Sequence, residues 1–175
     1  HRYEMVRLAI AGTPGFELSD IEIARQGKSY SIDTVRELQQ QYGPTTSLFF
    51  LIGLDAFLDL PSWREPDALL AACSFVVISR PGQSFKTLAT LPFLQSITIE
   101  RLAPLDTGAL NRLDPPLPSG QTIICLPLPP SPISASDIRE RIRRGAVLAN
   151  LLPPLVESYI LHKQLYREEQ HRTHT

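Results

Sequence analysis

SLFFLIG, residues 47–53, decides the fold: it is a short, almost wholly apolar run closed by turn residues. Such a run reads as a buried strand of the kind found in parallel sheets. SFVVISRPG, residues 74–82, repeats the pattern and stops at Pro81-Gly82. Between the two, EPDALLAAC (65–73) reads as a helix with Pro66 in its first turn, where the missing N–H costs little. Upstream, SIDTVRELQQQYG (31–43) sets Ile32, Val35 and Leu38 on one helical face and ends at Gly43. FELSDIEIAR (16–25) alternates apolar and polar residues, as a half-buried strand does. HRYEMVRLAIAG places Tyr3, Val6, Leu8, Ala9 and Ile10 at mostly helical spacing before Gly12. Downstream, FKTLATLPFL (85–94) is expected to be helical and SITIERL (96–102) a strand. Residues 104–120 read as a proline-rich loop, QTIICLPL (121–128) as the last strand, and two helices follow, one opened by Asp137, Ile138 and Arg139 and one from 153. The tail REEQHRTHT is polar and expected to fray. Strands alternating with helices predict an α/β fold with a parallel sheet.

Composition narrows the function. The 175 residues suffice for one domain with a real core, and 43% hydrophobic with 20% charged residues describes a globular chain. A net charge of −1, without a long run of one sign, argues against general electrostatic binding to nucleic acid. Cys73 and Cys125 lack metal-site spacing and are too few for a disulfide framework, which fits a reducing cytoplasm. No apolar run approaches the ~18 residues of a membrane span, and no leader pattern heads the chain. The chain opens on His1, inside or just before a helix, so a natural segment is expected upstream.

In parallel α/β sheets ligands bind beyond the carboxyl ends of the strands. That rule points at GLD (53–55), SRPG (79–82) and SPISAS (131–136). In PISASDIRERIRRG (132–145), Ser134 and Asp137 fit a capping box, with Ile138 and Ile142 facing the core and Gly145 closing the helix. Capping leaves Ser136 and Arg139 unexplained. A helix N-terminus after a strand suits phosphate, and two hydroxyls and a guanidinium on one turn add directed donors. The two readings weigh equally on these residues alone. In RQGKSYSIDT (25–34), Ser29 or Ser31 caps the next helix and Tyr30 packs, or the loop holds a small anion beside an aromatic ring. In LIGLDAFLDLPSWREP (51–66), Gly53 permits close approach to the strand end. Asp55 meets ribose hydroxyls or caps a turn, and Trp63, the one tryptophan, is either core or a flat surface for a heterocycle. Arg80 meets phosphate or adenine, or forms a surface ion pair.

Taken together these stretches resemble a known family. ISASDIR resembles the ISSTxIR signature of nucleotidyltransferases that move adenylyl groups. RQGKSYSIDT, FLIGLDAFLDLPSW, ISRPG and LLPPLVESYILHKQLY are similar, in the same order, to the bacterial nicotinate-nucleotide adenylyltransferases. The resemblance implies a Rossmann-like nucleotidyltransferase fold, one domain over residues 1–166 with a tail at 167–175. It also implies a cytoplasmic enzyme of NAD biosynthesis that joins nicotinate mononucleotide to the adenylyl group of ATP and releases pyrophosphate, with Mg²⁺ held mainly through the ATP phosphates. Neither nucleic acid nor membrane is an expected partner. Carried over by motif, Tyr30, Ser31, Trp63 and Arg64 line the mononucleotide pocket. Gly53, Asp55, Arg80, Ile133, Ser134, Ser136 and Arg139 serve ATP. Serine replaces the family's usual threonine at Ser31 and at or beside Ser136, which keeps the hydroxyl. The family's GxFxPxHxGH stretch, whose histidines act on the phosphates, has no counterpart here: His1, His162, His171 and His174 do not match it. The expectation is an enzyme whose first βα unit, with its catalytic residues, lies outside this sequence. Two alternatives stand beside it: a phosphopantetheine-type adenylyltransferase, and a non-catalytic nucleotide-binding domain.

Overall fold

The computed structural model describes residues 1–94, 96–129, 131, 133–148 and 150–167; the expected frayed tail falls almost wholly outside them. The chain divides into two compact units, Ile21–Pro130 and a helical unit made from His1–Asp20 with the residues from Ser131 onward.

The larger unit holds a parallel sheet of three strands, β1 (Phe49–Gly53), β2 (Ser74–Ile78) and β3 (Ile123–Leu126), in the order β1-β2-β3. Ile52 pairs with Val77, and Val77 with Cys125. β2 is central and its Phe75 and Val77 are fully buried, as an unbroken apolar strand should be. β1 is different. Ile52 is buried, but Phe49 and Leu51 are 54% and 66% exposed, so β1 is covered on one side only. The expected strand therefore forms but is buried on one face only; among the described residues it is also an edge strand, paired with β2 alone.

Helices α3 (Ser31–Tyr42), α4 (Leu54–Leu58) and α5 (Pro66–Ala72) flank this sheet, with Ile32, Val35, Leu54, Phe57, Leu69 and Leu70 buried. Gly43 ends α3 at φ 85°, a conformation that favours glycine, and its N–H bonds the Gln39 carbonyl. Phe57 meets Phe75 edge-on at 5.3 Å and Phe93 at 6.0 Å, which ties the helix layer to the central strand.

Two local expectations are overturned and a third is refined. FELSDIEIAR forms no strand; its only regular element is a four-residue helix, α2 (Ile21–Ala24). Phe16 and Ile23 are each 67% exposed, so the alternation buries nothing. The Glu22 carbonyl accepts from the Ser29 hydroxyl at 3.1 Å, and its carboxylate from the Thr34 hydroxyl at 2.8 Å, bonds that replace a strand ladder. SITIERL enters a helix, α6 (Ile99–Asp106), because the buried pair is Leu102 and Leu105 at i,i+3, while Ile99 faces out. FKTLATLPFL is helical as expected, in the 3₁₀ form, over Phe85–Thr90 and Pro92–Leu94. Phe85, Leu88, Leu91 and Leu94 recur every third residue and all are buried, which matches three residues per turn. Asp106 secures the start of this segment by accepting from the Ser84 hydroxyl at 2.6 Å and the Phe85 N–H at 2.7 Å.

In the helical unit, α1 (Arg2–Ile10), α7 (Ala135–Arg143) and α8 (Pro154–His162) enclose Ile138, Ile142, Leu148, Val156 and Ile160. Met5 and Leu8 pack on that cluster, whereas Tyr3 and Val6, expected on the apolar face of α1, are exposed.

Both cysteines are buried and free. Burial pushes the Cys73 thiol up to about 11 and the Cys125 thiol to about 12, with the Asp114 charge adding to the second. Unfolded thiols ionise near pH ~8.5, so above that pH the unfolded chain releases protons that the folded chain keeps. Stability is therefore expected to fall as pH rises beyond about 9. Thiol reagents should label neither cysteine in the native protein at pH 8 and both in urea. Rapid native labelling would contradict the burial.

Candidate active site

The strand-end cluster comes from the parallel register. Gly53 closes β1 opposite Ile78, the last residue of β2, so Asp55 and Arg80, each two residues further on, meet. Arg80 Nε donates to Asp55 Oδ1 at 3.3 Å, and both side chains are about half exposed. A Cβ on Gly53 would stand 2.5 Å from Arg80 Nε and 2.6 Å from Asp55 Oδ1. The close approach over Gly53 is thus made by the ion pair itself, whose half-exposed side chains are free to shift. Asp55 makes no side-chain cap for α4, whose N-cap is Gly53. Of the readings open in the sequence, the structure shows Arg80 and Asp55 paired.

A second cluster joins two distant stretches. Tyr30 is the N-cap of α3; its carbonyl accepts from the N–H groups of Asp33 at 3.0 Å and Thr34 at 3.2 Å. No side chain caps this helix, so neither Ser29 nor Ser31 has the capping role. The Arg64 guanidinium lies over the Tyr30 ring, 4.7 Å from its centroid, a cation–π contact. Trp63 is half-buried and meets Phe50 edge-on at 6.2 Å, so its indole belongs in part to the core and in part to the surface beside Arg64.

Sequence reasoning missed the groups around this cluster. Arg36 of α3 donates to Glu65 at 2.7 Å and holds its carboxyl below the usual carboxylate range. Arg25 bonds Glu37 at 2.7 Å and the Thr34 hydroxyl at 3.2 Å, bracing the 25–34 loop. Nothing in the composition pairs residues 12 or 29 positions apart.

The third group sits at the start of α7. Ser134 is extended at φ −124°, ψ 144°, and its hydroxyl accepts from the Asp137 N–H at 3.0 Å. Half of the expected capping box is therefore present; the Asp137 carboxylate is engaged by Arg141 Nε at 2.8 Å, one turn on. Ser136 and Arg139 are exposed, and Arg139 Nη2 donates to the Ser136 hydroxyl at 3.3 Å. Ile133 is exposed just before the cap. The two hydroxyls thus have separate surroundings: one closes the helix and the other stands beside a guanidinium. Ser134→Ala is expected to cost about 0.5–2 kcal/mol of stability, the usual value of an N-cap. Ser136→Ala should cost almost none. Urea titration of both variants checks this, and equal losses would remove the distinction.

Among the described residues no group of three or more His, Cys, Asp or Glu could hold a metal ion, and no helix is long and apolar enough to cross a membrane.

The cytidylyltransferase-like family pattern matches residues 1–141. A probable nicotinate-nucleotide adenylyltransferase of Citrifermentans bemidjiense is 41% identical over 166 residues, 94% of this chain and 73% of that relative. Its counterpart in Thermoanaerobacter is 37% identical over 175 residues, 97% of this chain and 71% of the relative. A Plasmodium falciparum nicotinic acid mononucleotide adenylyltransferase, solved with NaAD, superposes at a TM-score of 0.64 with 18% identity, covering 95% of this chain and 73% of that one. That last likeness concerns the fold.

Proposed function

We infer the roles of the site residues from one premise: this chain belongs to the nicotinate-nucleotide adenylyltransferases, within the cytidylyltransferase-like family. It is an enzyme of NAD biosynthesis with a Rossmann-like nucleotidyltransferase fold. It transfers the adenylyl group of ATP to nicotinate mononucleotide, giving nicotinate adenine dinucleotide and pyrophosphate. The observation that carries this is the 41% identity sustained over 94% of the chain. Relatives at 35–41% identity share that activity in their names, which leaves the phosphopantetheine alternative without support.

In the reaction an oxygen of the mononucleotide phosphate bonds to the α-phosphorus of ATP as the bond to the pyrophosphate oxygen breaks. No protein nucleophile is needed, so the protein positions the reactants and neutralises charge. Ser136, Arg139 and the free N–H groups of α7 hold the ATP phosphates, Ser134 shapes that turn, and Ile133 lies against the nucleotide. Gly53 and Asp55 meet the ribose, and Arg80, released from Asp55, meets the phosphate or adenine. Tyr30, Ser31, Trp63 and Arg64 receive the nicotinate ring and its carboxylate. Mg²⁺ enters on the phosphate oxygens of ATP. The setting is the cytoplasm.

The test is direct. The full-length protein, supplied with ATP and Mg²⁺, should form nicotinate adenine dinucleotide and pyrophosphate only when nicotinate mononucleotide is present, read by chromatography. Turnover of phosphopantetheine in its place, or no dinucleotide at all, would overturn the assignment.

A further inference from the structure

Glu65 takes the left-handed conformation, φ 49°, ψ 58°, immediately before Pro66. That conformation is costly for a residue with a Cβ. As the N-cap of α5 it supplies its carbonyl to the Leu69 N–H at 3.0 Å but makes no side-chain cap. Its carboxylate is shared by two arginines instead. Arg36 Nη2 donates to Oε2 at 2.7 Å and Nη1 reaches Oε1 at 3.5 Å, while Arg64 Nε stands 3.6 Å from Oε1. Arg36 is the close partner and Arg64 the distant one. Arg64 in turn lies over Tyr30, which opens the helix that carries Arg36. Four side chains from two segments form one circuit.

We propose that the Arg36–Glu65 ion pair is a positioning device for Arg64. By taking up the Glu65 charge, Arg36 leaves the charge of Arg64 uncompensated and its guanidinium set over Tyr30, and this favours a mononucleotide whose ring bears a carboxylate over one bearing an amide. The proposal rests on the reading that Arg64 lines the mononucleotide pocket. Two effects act in the same direction. A guanidinium already held in place loses less freedom when its ligand arrives. Two arginines sharing one carboxylate carry a net positive charge, whereas without Arg36 the remaining Arg64–Glu65 pair carries none. Arg36 touches no substrate in this scheme; it acts through Glu65.

The experiment compares kcat/KM for nicotinate and nicotinamide mononucleotides in the full-length enzyme. Arg36→Ala should lower the acid-to-amide ratio about fivefold, the scale of an exposed charge pair. The KM for ATP should stay unchanged. Adding Glu65→Asn should restore most of the ratio, because the freed carboxylate is gone and asparagine tolerates the left-handed conformation. Arg64→Ala serves as the control for the pocket. If Arg64→Ala collapses the ratio while Arg36→Ala leaves it intact, the ion pair is structural and this proposal falls alone. Should Arg64→Ala change nothing, the pocket assignment falls with it. Failure of Glu65→Asn to rescue overturns the route through the carboxylate.

Discussion

Arg139→Ala is expected to lower kcat/KM by roughly 30- to 1000-fold in the full-length enzyme, the equivalent of about 2–4 kcal/mol lost from the transition state. The argument rests on what Arg139 does and does not touch. Its side chain is exposed, and its described hydrogen bond is a 3.3 Å contact to the Ser136 hydroxyl. The stability of α7 lies elsewhere: in the Ser134 cap, in Ile138 and Ile142 on the buried face, and in the Asp137–Arg141 pair. Removing the guanidinium should therefore leave the melting temperature nearly unchanged. On the proposed role, what is lost is a forked, always-charged donor beside a helix N-terminus, where charge would build on the phosphates as the α-phosphorus is attacked. Arg139→Lys should recover only part of the loss, since lysine keeps the charge without the fork. Wild-type kinetics in Arg139→Ala would sink the assignment, and a drop of many degrees in melting temperature would return the residue to a structural role.

Trp63→Ala is expected to act on binding and stability together. The indole packs on the core of the larger unit and meets the Phe50 edge, so truncation should cost about 1–3 kcal/mol, below the value for a fully buried aromatic. It should also raise the KM for nicotinate mononucleotide about tenfold, the loss of roughly one stacking contact worth about 1.4 kcal/mol. The KM for ATP should hold. Trp63→Phe separates the two effects: it keeps an aromatic against Phe50 and should recover most of the stability, with partial recovery of the KM. A KM that rises equally for both substrates would mean the variant reports only loosened packing.

Much of the fold was legible because its signals are local. SFVVI and IICL read as strands and became β2 and β3, since their apolar runs are short and bounded. The Ser134 cap of α7 was legible as one of two readings, because an N-cap depends on four consecutive positions. The errors also share a cause. SITIERL alternates like a strand, yet Leu102 and Leu105 found the core through a helix. FELSDIEIAR alternates too, yet its Glu22 is held by Ser29 and Thr34. Periodicity over a few residues states which positions could share a face, not whether a neighbour waits to cover it.

The site divides along the same line. The chemistry available is written in adjacent residues: hydroxyls and a guanidinium at a helix start, a glycine and carboxylate after a strand, an indole next to an arginine. Short-range spacing is enough for that, because caps and strand ends are built from adjacent residues. Which of those groups meet depends on how the elements pack. Arg80 reaches Asp55 because Ile78 pairs with Gly53 across a parallel ladder. Arg64 covers Tyr30, and Arg36 takes Glu65, because α3 packs beside the turn that opens α5. Those partners stand 25 to 34 positions apart, beyond the reach of any local pattern, and burial of the apolar faces of the strands and helices is what brings them together.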